Sequence, residues 1–156
     1  MEQVADEYVK LEAEALRQYL KLDTAYRDAY RQLILFPVQA MANLYEMYYA
    51  QAMNHKLYKE NNPQANEWAD KVEQAFRRDA ELCREYNEEM SGGKWNGMMT
   101  QKHIGYTSWN DDFPADRLPE VYRIEQPEGA VGGYLFTGDK GVVSMEAEHY
   151  LHHPLH

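Results

Sequence analysis

The chain predicts a mainly α fold, an antiparallel helical bundle followed by an irregular aromatic loop and a short β segment, on three observations. All nine glycines lie beyond Ser91, so the first part of the 156-residue chain lacks the residue that readily weakens a helix interior. Within that part, apolar residues recur in steps of three and four, which gathers side chains on one helical face. Near the far end the period becomes two, with Val143, Met145 and Ala147 alternating against Ser144, Glu146 and Glu148. These shifts divide the chain into a bundle over 1–91, an aromatic, glycine-bearing loop and connector over 92–130, and the truncated start of a C-terminal β-domain over 131–156.

Val4, Tyr8, Leu11, Ala15, Tyr19 and Leu22 form a single apolar stripe on an otherwise charged first helix, which predicts packing on one side only. Asp23 or Thr24 then offers a side-chain oxygen to the free amides that begin a second helix. From Leu33 to Met53 this helix is apolar nearly all round, which places it at the centre of the bundle. Pro37 lies inside it, and the missing N–H and the crowding ring predict a kink, or a break with a short restart.

Asn61-Asn62-Pro63 punctuates the chain before a third helix whose face is Ala65, Trp68, Val72, Ala75, Phe76, Leu82, Cys83 and Tyr86. Short connections make neighbouring helices antiparallel. Tyr26, Tyr30, Tyr45, Tyr48 and Tyr49 sit at helical spacing and read as core or interface, with a second sugar platform as the alternative. Asp111-Asp112-Phe113-Pro114 and Leu118-Pro119 read as an irregular connector running over the bundle surface.

A net charge of −10 and a pI near 5.0 repel phosphate backbones and anionic membranes, so neither nucleic acid nor membrane is expected as a partner. No apolar run reaches the length of a membrane span. The single cysteine, Cys83, rules out an intrachain disulfide and falls on the apolar stripe of the third helix.

The run from Gly93 to Trp109 has no hydrophobic period, yet it is neither small nor uniformly polar. It interleaves glycines with Trp95, Trp109, Tyr106, Met98 and Met99 and with the neutral or basic groups of Asn96, Gln101, His103, Lys94 and Lys102. Such a mixture suits sugars, whose apolar ring faces stack on flat side chains while their hydroxyls meet fixed donors and acceptors. Trp95 and Trp109 are the stacking candidates, Asn96, Gln101 and His103 the hydrogen-bonding ones, and Tyr106 fits either role. Met98 and Met99 provide adaptable packing at the rim, and Lys94 and Lys102 are candidates to attract a carboxylate. The alternative is a loop whose aromatics plug its own domain.

Lys94-Trp95-Asn96, Met98-Met99, Gln101, His103-Ile104-Gly105-Tyr106-Thr107 and Trp109 resemble a segment of the family 115 glycoside hydrolases, the xylan α-1,2-glucuronidases. Tyr19-Leu20-Lys21-Leu22-Asp23, Tyr26-Arg27-Asp28, Pro37-Val38 with Ala40, and Val143 to Tyr150 resemble the same family, so the likeness spans most of the chain. It departs at Gly97, where histidine is more usual, at Thr100, where an acidic residue is common, and after Trp109, where glutamine with prolines is more usual than Asn110. The resemblance implies a parent enzyme, periplasmic or secreted, that releases glucuronic or 4-O-methylglucuronic acid branches from glucuronoxylan or aldouronic oligosaccharides by inverting water attack. It also implies a homodimer, with the catalytic residues on a barrel not contained in this chain.

A glycosidase needs two carboxyl groups flanking the scissile bond, and no such pair stands out, so no catalytic residue is expected here. Glu146 and Glu148 share a strand face and read as a solvated edge, with a structural calcium as the alternative. His149, His152, His153 and His156 lie at a chain end that supplies little rigidity, so adventitious binding is the most expected of them. No metal site or cofactor is expected. The function expected is an accessory helical domain of an α-glucuronidase, contributing to substrate binding, dimerisation or both; its rival is a helical oligomerisation module with no carbohydrate contact.

Overall fold

The helices form close to where the apolar spacing puts them in the computed structural model, which describes residues 2–108 and 114–125. Three long helices dominate a mainly helical, bundle-like fold: α1 (Glu2–Lys21) and, after a short α2 (Thr24–Tyr30), α3 (Phe36–Lys59) and α4 (Ala65–Glu88). Among the described residues there is no strand. The β segment expected over 131–156, with Glu146, Glu148 and the terminal histidines, lies outside them.

Asp23 starts α2 by accepting a hydrogen bond from the Ala25 amide at 2.9 Å. The helix does not break before Pro37. It passes instead through a π-helical turn, Arg31–Leu35, in which the Phe36 N–H reaches back to the Arg31 carbonyl. Pro37 follows in the first turn of α3. The wider turn makes room for a ring that would otherwise crowd the carbonyl four residues earlier, and the helical backbone continues without interruption.

Asn54 bonds to Ala65, Asn43 to Ala75, and Gln32, just before α3, to Tyr86, so positions descend along one helix as they ascend along α4. Tyr8 stacks on Tyr45 at 4.7 Å and Glu12 accepts a hydrogen bond from Gln39, which gives α1 and α3 the same opposed direction. Helix α3 is central and contacts both neighbours. Its girth is not fully covered: Met41 and Tyr48 stay exposed, as do Leu33 and Ile34 of the π turn before it.

The face of α1 follows the expected stripe in part. Ala15 is buried and Tyr8, Tyr19 and Leu22 are half-buried, but Val4 and Leu11 are exposed, and the adjacent Ala5 is buried and Glu12 half-buried in their place. Small alanines allow close approach to α3, and Glu12 turns inward because Arg78 of α4 pairs with it. Arg78 also lies 3.6 Å from Glu46, tying the three long helices together.

The innermost cluster joins Met47 and Ala50 of α3, Val72 of α4 and Ile104 from the loop, with Val121 of the connector packed against it. Loop and connector therefore complete the core. Asparagine side chains hold them there by pairing with a single backbone residue on both edges. Asn54 donates to the Tyr122 carbonyl at 2.8 Å and accepts from its amide at 2.9 Å, and Asn66 does the same to Ile124 at 2.9 and 2.8 Å.

Candidate functional site

Helix α4 ends because Ser91, Gly92 and Gly93 adopt left-handed φ values of 51°, 67° and 81°, which reverse the chain. A side chain at Gly93 would bring a Cβ to 3.1 Å from the Glu88 carbonyl oxygen. Asn87 then fixes the returning loop, donating to the Met99 carbonyl at 2.8 Å and accepting from its amide at 2.9 Å. The loop runs back along α4 and leaves a groove of about 480 Å³.

Phe36, Ala40 and Leu44 of α3, Asp79, Leu82 and Cys83 of α4, and Met98, Met99, Gln101, Lys102, His103 and Tyr106 of the loop line this groove. Five of the expected sugar-binding residues, Met98, Met99, Gln101, His103 and Tyr106, thus share one surface with Lys102. Trp95 and Asn96 are not in it. Trp95 is half-buried with its indole Nε1 shut off from water and unpartnered, and Lys94 Nζ stands 4.9 Å from its ring centre. Asn96 is exposed, and Trp109 lies outside the described residues. The segment also serves the core, since Ile104 is buried.

The floor of the groove is charged. Asp79, with only 5% of its side chain exposed, sets its Oδ2 at 2.9 Å from His103 Nε2. On the other side of the ring, His103 Nδ1 lies 3.2 Å from the Gln101 carbonyl and 3.4 Å from Asp116 Oδ2. Asp116 is itself pinned, its Oδ1 accepting from the His103 and Ile104 amides at 2.5 and 2.6 Å. The hydrogen bond to Asp79, with the charges of Asp79 and Asp116, raises the His103 pKa to about 9 against the opposing effect of burial. At neutral pH the ring is an imidazolium. Burial first, then Asp79 and Asp116, push the Cys83 thiol up to about 11, so it rests as a thiol and not as a nucleophile.

Asp79 and Asp116 were not singled out by sequence. The signal for Asp79 was present: it occupies the stripe of α4 between Phe76 and Leu82, and a carboxylate at a core position requires a partner. Asp116 carries no comparable mark, because its role depends on a fold-back that spacing does not encode.

The pairing of His103 with Asp79 has a pH signature. A pKa of about 9 in the fold against about 6.5 unfolded means that its stabilisation is complete below pH 6.5 and disappears as pH rises through about 9. The ring is 36% exposed, so solvent screening cuts the gain to about 1–2 kcal/mol. The protein should therefore melt progressively earlier between about pH 6.5 and 9, and His103→Gln should remove that slope. Equal slopes in the two proteins would place the proton elsewhere.

Chemically, the groove offers apolar walls from Leu44, Leu82, Met98 and Met99 beside polar groups from Gln101, Lys102, His103 and Tyr106. Such a lining can meet both apolar and hydrogen-bonding parts of one ligand. No protein-family model matches the chain, and no curated protein matches it either.

Proposed function

We propose that this chain is the helical domain of a family 115 glycoside hydrolase, a xylan α-1,2-glucuronidase, in which it contributes to substrate binding while the catalytic carboxylates lie elsewhere in the parent enzyme. The observation that carries this reading is the convergence of Met98, Met99, Gln101, His103 and Tyr106 on one groove, because these residues belong to the segment that resembles the family. Tyr106 and the methionines would meet the apolar faces of sugar rings, and Gln101 and Lys102 their hydroxyl and carboxylate edges. Trp95, half-buried, acts in packing more than in stacking on this reading.

The test is made on the full-length protein, which should release uronic acid from glucuronoxylan. Tyr106→Ala should lower kcat/KM on aldouronic oligosaccharides about tenfold or more, the scale of losing about 1–3 kcal/mol of stacking, with an unchanged melting temperature. No uronic acid release by the full-length protein would overturn the enzymatic reading.

A second reading, an oligomerisation module, draws on a different observation. Met41 and Tyr48 are exposed at seven-residue spacing on the outer side of the central helix. If that side is an interface, Met41→Glu should dissociate the oligomer in sedimentation experiments. Unchanged assembly would remove this reading.

A further inference from the structure

We propose that Asp79, Cys83 and His103 form a binding site for one thiophilic divalent cation, of the zinc class, on the floor of the groove. Asp79 and Cys83 lie one helical turn apart on α4 and so share a face, and the loop brings His103 over them. One carboxylate oxygen, the Cys83 sulfur and one ring nitrogen all lie within 4.8 Å of one another. Zinc bonds of about 2.0–2.3 Å in a tetrahedral site set ligand atoms roughly 3.3–3.8 Å apart. Closing the difference asks for a shift of roughly 1 Å, within reach of side-chain rotation.

Three features mark the cluster as more than a chance gathering. The mixture of nitrogen, sulfur and oxygen donors matches a borderline-soft ion and suits neither magnesium nor calcium, which take oxygen ligands. The ring is also oriented from behind: Asp116 and the Gln101 carbonyl engage Nδ1, which leaves Nε2 directed at Asp79, the arrangement that supports a metal-bound histidine. Finally, the oxygens of Asp79 and Asp116 lie on opposite sides of the ring, at 2.9 Å from Nε2 and 3.4 Å from Nδ1, and Asp79 has only 5% of its side chain exposed, so the cluster presents acceptor oxygens suited to a cation and not to an anion.

Binding exchanges protons for metal. The ion takes the place of the proton held between His103 Nε2 and Asp79, and the Cys83 thiol gives up its own proton on coordination; both protons leave to solvent. Three protein ligands leave a fourth position facing the groove, where water or a ligand oxygen completes the shell. None of this depends on the sugar-binding reading, and the test below has no carbohydrate in it.

The probe is Co²⁺, whose bands report geometry and thiolate ligation, added to the full chain after treatment with a chelator and competed with Zn²⁺. The expected result is one equivalent bound, with tetrahedral visible bands and a near-ultraviolet thiolate-to-cobalt charge-transfer band. Cys83→Ser should abolish the charge-transfer band and weaken binding at least tenfold, and this mild change at a half-buried position preserves the fold. Asp116→Asn should weaken binding about tenfold while the band persists, because the residue positions the ring without touching the ion. Replacing His149, His152, His153 and His156 together by alanine should leave the band intact. Absence of the charge-transfer band in the parent chain would overturn the proposal. So would uptake that survives Cys83→Ser and disappears with the four terminal histidines.

Discussion

Met47→Asp should leave the chain without a cooperative fold at 25 °C. Met47 is fully buried and sits in the cluster shared by α3, α4 and the loop, beside Ala50, Val72 and Ile104. Truncating such a side chain alone costs about 2–5 kcal/mol. An unpaired carboxylate at the same place adds several kcal/mol, either as a buried charge or as the cost of protonating it. Against a total stability on the order of 5–15 kcal/mol, the sum removes most or all of the fold. Far-ultraviolet circular dichroism and urea titration would register the loss. Met41→Asp on the exposed side of the same helix is the comparison, and it should change the stability of the monomer by roughly 0.5 kcal/mol or less. A cooperative melt of Met47→Asp at the parent temperature would mean that the core does not run through this position.

The contrast between Met47 and Met41 also marks the reach of sequence in this protein. Helical spacing located α4 and most of its inner face, from Ala65 through Val72 to Leu82 and Tyr86, because burial there follows the period of the helix alone. On α1 the same reasoning selected Val4 and Leu11, which are exposed. Ala15 of the same stripe is buried as its spacing predicts, whereas near Val4 and Leu11 the inward places go to Ala5 and to Glu12, which meets Arg78. Pro37 announced a disturbance but not its form, since a π turn and a break have the same local cause.

The loop was harder to read for a related reason. Its mixed chemistry signalled a surface with several tasks, but spacing could not divide them, and one segment lines the groove with Met98, Met99 and Tyr106 while burying Ile104 in the core. Asn54 carries a signal, since asparagine is a poor helix former and its presence inside α3 points to a specific hydrogen-bonding role, whereas Asn66 and Asn87, in the first and last turns of α4, carry none.

Asn54→Asp should detach the connector from the bundle and cost about 3 kcal/mol or more at neutral pH. The Asn54 amide nitrogen donates to the Ala65 carbonyl at 2.7 Å and to the Tyr122 carbonyl at 2.8 Å, while its oxygen accepts from the Tyr122 amide at 2.9 Å. A carboxylate keeps only the last of these. Two carbonyls then lose their donor and face a negative oxygen, at a residue with no solvent exposure, and each unsatisfied group costs about 1–3 kcal/mol. Protonating the introduced carboxyl restores one donor, so the deficit should shrink as pH falls toward about 4, opposite in sign to ordinary acid destabilisation. The effect should also be local before it is global. With two of the clamp's three bonds gone, the connector should open more often, so the Tyr122 amide should exchange faster although its own acceptor remains, while amides in the middle of α3 and α4 keep their protection until the bundle melts. Asn66→Asp, at a half-buried position with the matching pair of bonds to Ile124, should show the same pattern at roughly half the cost. The consequence reaches the groove, because the connector that Asn54 holds also carries Val121 into the core and Asp116 to His103. Unchanged protection at Tyr122 in Asn54→Asp would show that Val121 and its neighbours hold the connector without the carboxamide.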